Sequence, residues 1–169
     1  MPEVNSRVLT SPDFHALAQE VLGQGGSFRF RARGRSMMPF VRPGDVLLVE
    51  PVDPARLRTG EIILFHQRST SHVVHRLIRR VKRDGRLVFI AQGDNSAIAD
   101  APILAEQVLG RVVGIEREGR RLRLDRGPGQ LLNRVIYYLR GLAPWRPRSC
   151  RRLARVPWRL LGRLMWRQA

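Results

Sequence analysis

The chain has 169 residues, 43% of them hydrophobic and 27% charged, and its 31 Lys and Arg against 14 Asp and Glu give a net charge of +17. That length and apolar fraction suffice for one domain with a core of its own, which excludes global disorder. The single cysteine, Cys150, excludes an internal disulfide and a cysteine-cluster zinc site. Residues 11–22 carry Phe14, Leu17, Ala18, Val21 and Leu22 at helical spacing, with Ser11 as N-cap and Gly23 as stop, and predict a short amphipathic helix. Alternating or β-rich bursts then predict seven strands, at 27–33, 45–50, 61–67, 73–82, 87–92, 108–116 and 121–124. Asp84-Gly85 and Glu118-Gly119 read as two-residue hairpin turns, so the expected fold is mainly β, an antiparallel sheet that coils on itself or closes as a β-barrel.

After Asp125 no acid remains while eleven arginines follow, and Gly127-Pro128-Gly129 punctuates the change. The predicted organisation is therefore a helical segment at 1–26, a β domain at 27–125 and an Arg-rich amphipathic helical tail at 126–169. In the tail, Leu131, Leu132, Val135, Ile136, Leu139 and Leu142 line one helical face that Pro144 and Pro147 end. A further helical pattern sets Arg148, Arg152, Arg155, Arg159 and Arg163 against Leu153, Val156, Leu160 and Leu164, with Trp158 and Trp166 interspersed. Opposed Arg and Leu faces with tryptophan are what an in-plane helix on an anionic membrane surface requires. A solvated basic face packed on the β domain is the plainer alternative, and binding of nucleic-acid phosphates ranks behind both. No apolar run approaches the roughly 18 residues of a membrane span, and the N-terminus lacks a secretory pattern, so the expectation is a cytoplasmic or membrane-peripheral chain.

Chemistry concentrates on the loop between the first two strands, Gly34-Arg35-Ser36-Met37-Met38-Pro39, closed by Pro43-Gly44-Asp45. A serine nucleophile needs a base within hydrogen-bond reach, and a histidine base needs an orienting group. The candidate bases are four histidines and one lysine, Lys82. Lys82 stands seven residues after His75 at a hairpin end, and odd spacing in a regular strand puts the two on opposite faces. A histidine is also largely neutral at pH 7, whereas a lysine must be desolvated to act as a base. His66 and His72 read as exposed strand-end residues, and neither a metal nor a cofactor is expected. Met37 and Met38 fit either a core or a substrate groove, with the groove favoured.

Four ordered blocks, Ser36-Met37-x-Pro39 with Gly44-Asp45, Thr59 through Phe65, Val74-His75-Arg76-Leu77-Ile78 and Gly93-Asp94-Asn95-Ser96, resemble type I signal peptidases over residues 34–100. The β pattern to about residue 117 agrees with that resemblance, and the tail lies outside it. His75-Arg76 stands where the bacterial form has Lys-Arg, so the similarity is to the histidine-base branch. The resemblance implies a serine endopeptidase with Ser36 as nucleophile, His75 as base and Asp100 orienting the imidazole. Asp94 is implied as a structural or second acidic partner, and the two acids could exchange roles. It further implies a peptide or protein precursor as partner, cut after small residues. The chain departs from the family pattern at Gly34 and Arg35, where a hydroxyl residue and a glycine are usual. Backbone N–H groups, with Arg35, Met37 and Met38 around them, would then form the oxyanion hole and groove. A self-cleaving repressor-type peptidase would instead resemble a Ser/Lys dyad with an Ala-Gly or Cys-Gly bond, and neither dipeptide occurs. Gly34 and Arg35 leave open the alternative of a catalytically idle peptidase fold that binds peptide, membrane surface or nucleic acid.

Overall fold

The computed structural model describes residues 11–67, 71–142 and 167–168. In chain order these form helix α1 (Ser11–Gly23), strands β1 (Phe28–Arg31), β2 (Val46–Glu50), β3 (Ile62–Gln67), β4 (Ser71–Arg83), β5 (Arg86–Gln92), β6 (Ile103–Leu104), β7 (Val108–Arg117) and β8 (Arg120–Arg123), helix α2 (Gly127–Leu142) and a short strand β9 (Arg167–Gln168). The predicted second tail helix, with Arg148, Arg152, Arg155, Trp158, Arg159, Arg163 and Trp166, lies outside the described residues.

All strand pairs are antiparallel. The sheet runs β1-β2-β7-β3-β4-β5-β6, with β8 on β7 and β9 on β8. Among the described residues β1 pairs only with β2 and β6 only with β5, so the coiled antiparallel sheet is open and the barrel alternative does not hold. Its two ends are strands of four and two residues, which leave little ladder for a closing partner. Both expected hairpin turns form, with Asp84-Gly85 and Glu118-Gly119 at positive φ throughout, the conformation whose twist matches the flanking strands.

The continuous apolar run of β3 is explained by burial on both faces. Ile62 and Leu64 join Leu47, Val49, Val112, Ile115 and Phe40 in one core, while Ile63 and Phe65 join Leu57, Leu77, Phe89 and Ala91 in the other. Both helices cover the first core. From α1, Ala18 and Leu22 are buried in it, and Phe14 meets Phe28 and Phe30 edge to face at 5.2 and 5.1 Å. From α2, Leu132 and Ile136 pack against it. Gly129 makes this docking possible, since a Cβ there would stand 1.9 Å from the Arg123 carbonyl oxygen. Among the described residues no helix is long and apolar enough to cross a membrane.

Candidate active site

The serine loop leaves β1 at residue 32 and returns to β2 at residue 45, and its neck is pinned at Asp45. The Asp45 carboxylate accepts from the Arg42 amide at 2.7 Å and from Arg117 Nε and Nη2 at 2.7 and 2.6 Å, and Arg117 Nη2 also donates to the Phe40 carbonyl at 3.0 Å. Beyond the neck the Met37 side chain is buried in the first core, which anchors the residue next to Ser36. The Ser36 carbonyl accepts from the Asn95 amide at 2.6 Å, tying the loop to the turn that follows β5. Ser36 itself is exposed.

His75 sits on β4 opposite Ile63, on the face of the second core, and is 9% exposed. Its Nδ1 lies 2.6 Å from Asp100 Oδ2, and Asp100 is held alongside β5 by its own amide, which donates to the Ala91 carbonyl at 2.9 Å. The other ring nitrogen and the serine Cβ both border Gly93. His75 Nε2 and Ser36 Cβ each lie 3.0 Å from the point where a Cβ on Gly93 would stand, and Ser36 O lies 2.6 Å from it. A side chain at position 93 would therefore fill the gap through which serine and histidine approach each other.

Behind this site Arg76, the next residue on β4, points to the opposite face and is wholly buried. Its Nε and Nη2 make a bidentate pair with Asp94 at 2.9 and 2.7 Å. Its Nη1 donates to the Gly60 carbonyl at 2.8 Å and to the Asn133 side-chain oxygen, and the guanidinium lies 5.2 Å from the Phe40 ring centroid. Of the two acids left open by the sequence, Asp100 thus contacts His75 and Asp94 contacts Arg76. The Asp94 amide also reaches Met37 Sδ at 3.4 Å, so the bracket holds the serine loop as well.

A serine Cβ within about 6 Å of an imidazole nitrogen whose ring partner meets a carboxylate puts together the residue types that acyl transfer uses. Residues 5–113 match the Peptidase S24-like family. The chain belongs to that family. Signal peptidase I W of Bacillus subtilis (strain 168) is 35% identical over 83 residues, which are 48% of this chain and 44% of that relative, so the similarity spans less than half of the relative's length. Asn133, which helps hold Arg76, comes from α2, outside the matched segment.

Arg35 is exposed beside Ser36, and its carbonyl accepts from the Met38 amide at 3.2 Å. Met38 is half-buried, but Met37, expected in a groove, is a core residue at 3% exposure, because its apolar side chain is what fixes the loop. The face assigned to Lys82 is also corrected. A bulge between Leu77 and Arg79 inserts one residue, so Lys82 pairs with Leu87 and shares the face of Leu77 and His75. What keeps Lys82 from His75 is distance along the strand, about 20 Å for seven residues.

His66 and His72 are half-buried rather than exposed, because α1 brings His15 against them. His15 Nδ1 lies 2.9 Å from His72 Nε2, and the His15 and His66 ring centroids are 5.1 Å apart. Burial first, then the neighbouring His15, lowers the pKa of both His66 and His72 below 6.5, against a smaller opposing effect of Glu106 on His66. Among the described residues no His, Cys, Asp and Glu group has a metal-holding arrangement. Sequence reasoning gave no role to Gly93, Arg76 or Asn133 and held His15 only as one of four candidate bases. Gly93 and Arg76 stand inside the family-like blocks, which was the available signal; Asn133 had none.

Proposed function

We propose that this S24-like chain is a serine endopeptidase of the histidine-base branch, which removes a leader, signal or pro-peptide from a precursor after small residues. His75 Nε2 takes the Ser36 hydroxyl proton as Oγ attacks the scissile carbonyl, and the tetrahedral intermediate collapses to an acyl-enzyme as His75 protonates the leaving amine. Water, deprotonated by the same nitrogen, then attacks the ester and frees Ser36. Asp100 accepts the Nδ1 hydrogen, which fixes the reactive tautomer and stabilises the imidazolium. Asp94 acts through Arg76 as a positioning residue.

The observation that carries this reading is the 2.6 Å contact of His75 Nδ1 with Asp100, with Nε2 turned to the same point as the Ser36 side chain. The relative named as a signal peptidase supports the choice of a leader-type peptide, and extended peptides commonly bind by pairing along a strand edge. Mass-spectrometric cleavage profiling of a diverse peptide library tests it, run with wild type, Ser36→Ala and His75→Ala. Cuts after small residues are expected, absent from both variants. Cuts retained by Ser36→Ala, or none by wild type, would overturn the assignment.

A further inference from the structure

A second concave site opens where α2 crosses the turn leading into β3. It is a cavity of about 310 Å³ whose walls include Arg56, Arg58, Arg111, Arg134, Glu61 and Gln130. Four arginines, three of them exposed, and one carboxylate therefore line the same space, and both carboxylate oxygens accept a hydrogen bond. Glu61 Oε1 accepts from Arg111 Nη1 at 2.9 Å and Oε2 accepts from the Arg58 amide at 2.8 Å. Among the described residues Arg58 and Arg134 form no ion pair, and Arg56 has only Asp53 at 3.8 Å. Arg111 Nε is buried without a hydrogen-bond partner, the only such side-chain atom among the described residues.

Folding gains nothing from gathering like charges around a hollow, because their mutual repulsion opposes the compact state. A concave wall of low dielectric focuses their field, and guanidinium forks match tetrahedral oxyanions in geometry. The volume suits a phosphate ester or a diphosphate better than a single small ion. We propose that this cavity is a binding site for a phosphate-bearing ligand, held by Arg58 and Arg134 together with Arg56 and Arg111.

Two sources share that chemistry. Soluble phosphate esters are one. Lipid headgroups are the other, since α2 exposes Leu131, Val135 and Tyr138 at 65%, 42% and 66% beside the residues that line the cavity. The cavity lining also includes Gly60 and Asn133, the two residues that hold Arg76.

The test is calorimetric titration of the full chain with inorganic pyrophosphate at fixed, near-physiological ionic strength, where general charge attraction is screened beyond about 8 Å. Saturable one-site binding is expected, weakened about tenfold or more in Arg58→Gln/Arg134→Gln, since charge-assisted hydrogen bonds are the strong ones. Arg79→Gln/Arg83→Gln removes the same charge from exposed positions on β4 and is expected to bind as wild type does. Absence of saturable binding, or equal weakening in both double variants, overturns the site. Flotation on phosphatidylglycerol and phosphatidylcholine vesicles separates the sources. Phosphatidylglycerol binding that is displaced by pyrophosphate and lost in Arg58→Gln/Arg134→Gln assigns the pocket to a headgroup. Vesicle binding unchanged in that variant, with pyrophosphate binding lost, assigns it to a soluble ligand.

Discussion

The approach of Ser36 and His75 depends on position 93 having no side chain, and Gly93→Ala tests that directly. The added Cβ would stand 2.6 Å from Ser36 O and 3.0 Å from both Ser36 Cβ and His75 Nε2, where ordinary contacts begin at 3.4 Å. Gly93 does not occupy the left-handed region, so alanine meets no backbone penalty and the effect is contact alone. Relief at the nearest contact requires the Ser36 main chain to retreat by most of an ångström, against the Asn95 amide that holds it at 2.6 Å. A misplacement of about 1 Å in a catalytic group costs on the order of 100-fold in rate. Overpacking should cost only about 1–3 kcal/mol in stability, a few degrees in Tm for each kcal/mol. The expected result is a fall of about 100-fold in kcat/KM on the best-cleaved library peptide, with a folded protein by circular dichroism. Gly34→Ala is the matched control, because a Cβ two residues before Ser36 meets nothing within 4 Å. If Gly93→Ala retains a rate within about threefold of wild type while Gly34→Ala does the same, serine and histidine do not work across that gap.

The two acids should separate by assay. Asp94→Asn leaves the Arg76 charge buried with its bidentate partner gone, which costs about 3–5 kcal/mol, a Tm fall of order 10 °C by calorimetry. Asp100→Asn should leave Tm nearly unchanged and lower kcat by about 10²- to 10⁴-fold, as loss of an orienting acid does; a large Tm loss with full activity would contradict the role. His66 and His72 have native pKa values below the unfolded 6.5, so the unfolded chain binds more protons as pH falls. Their contribution to stability is complete above 6.5 and is lost as pH falls toward the native values. Tm should therefore decline from about pH 7.5 to about pH 5.5, and less so in His66→Gln/His72→Gln; identical slopes would refute it. Glu116 and Asp125 act in a lower window. Burial raises their pKa values, but Arg121 with Arg29, and Arg123, outweigh it and lower them, so their contribution disappears only as pH falls below 4.5 and 3.8. Gly129→Ala, with a Cβ 1.9 Å from the Arg123 carbonyl, should lift α2, read as faster amide exchange along the helix and a lower Tm.

The strands were legible where alternation and turn chemistry agreed. The two hairpins carried acidic-residue-plus-glycine pairs that accept positive φ, and α1 carried a helical stripe between a cap and a stop. Two features escaped for physical reasons. β6 is two residues long, and its pairing with Val88 and Phe89 leaves no periodicity to read. The bulge in β4 preserves composition while shifting the face of every residue beyond it, so a parity argument across it fails for Lys82 even though each residue reads as strand.

The acid assignment shows what a sequence holds and where it stops. His75 and Arg76 are neighbours on one strand, so they face opposite cores, and a guanidinium buried beside an apolar run demands an acid of its own. If both Asp94 and Asp100 served His75, Arg76 would stand uncompensated at 0% exposure, a state costing several kcal/mol. Two buried cationic or cation-forming side chains on opposite faces, followed by two acids, therefore imply one acid each. Which acid goes to which face depends on the path of the loop after β5. Asp94 follows directly from Gly93, packed against the serine loop, and so falls on the Arg76 side with Met37. Asp100 comes after the chain has turned back along β5, where its amide pairs with Ala91 on the His75 side. That return is made by a turn in which the Ser96 hydroxyl accepts from the Ile98 amide and donates to the Ile98 carbonyl, contacts with no signature beyond a serine in a loop. The pairing of acids with cations follows from strand alternation, and the choice between them from six residues of loop geometry.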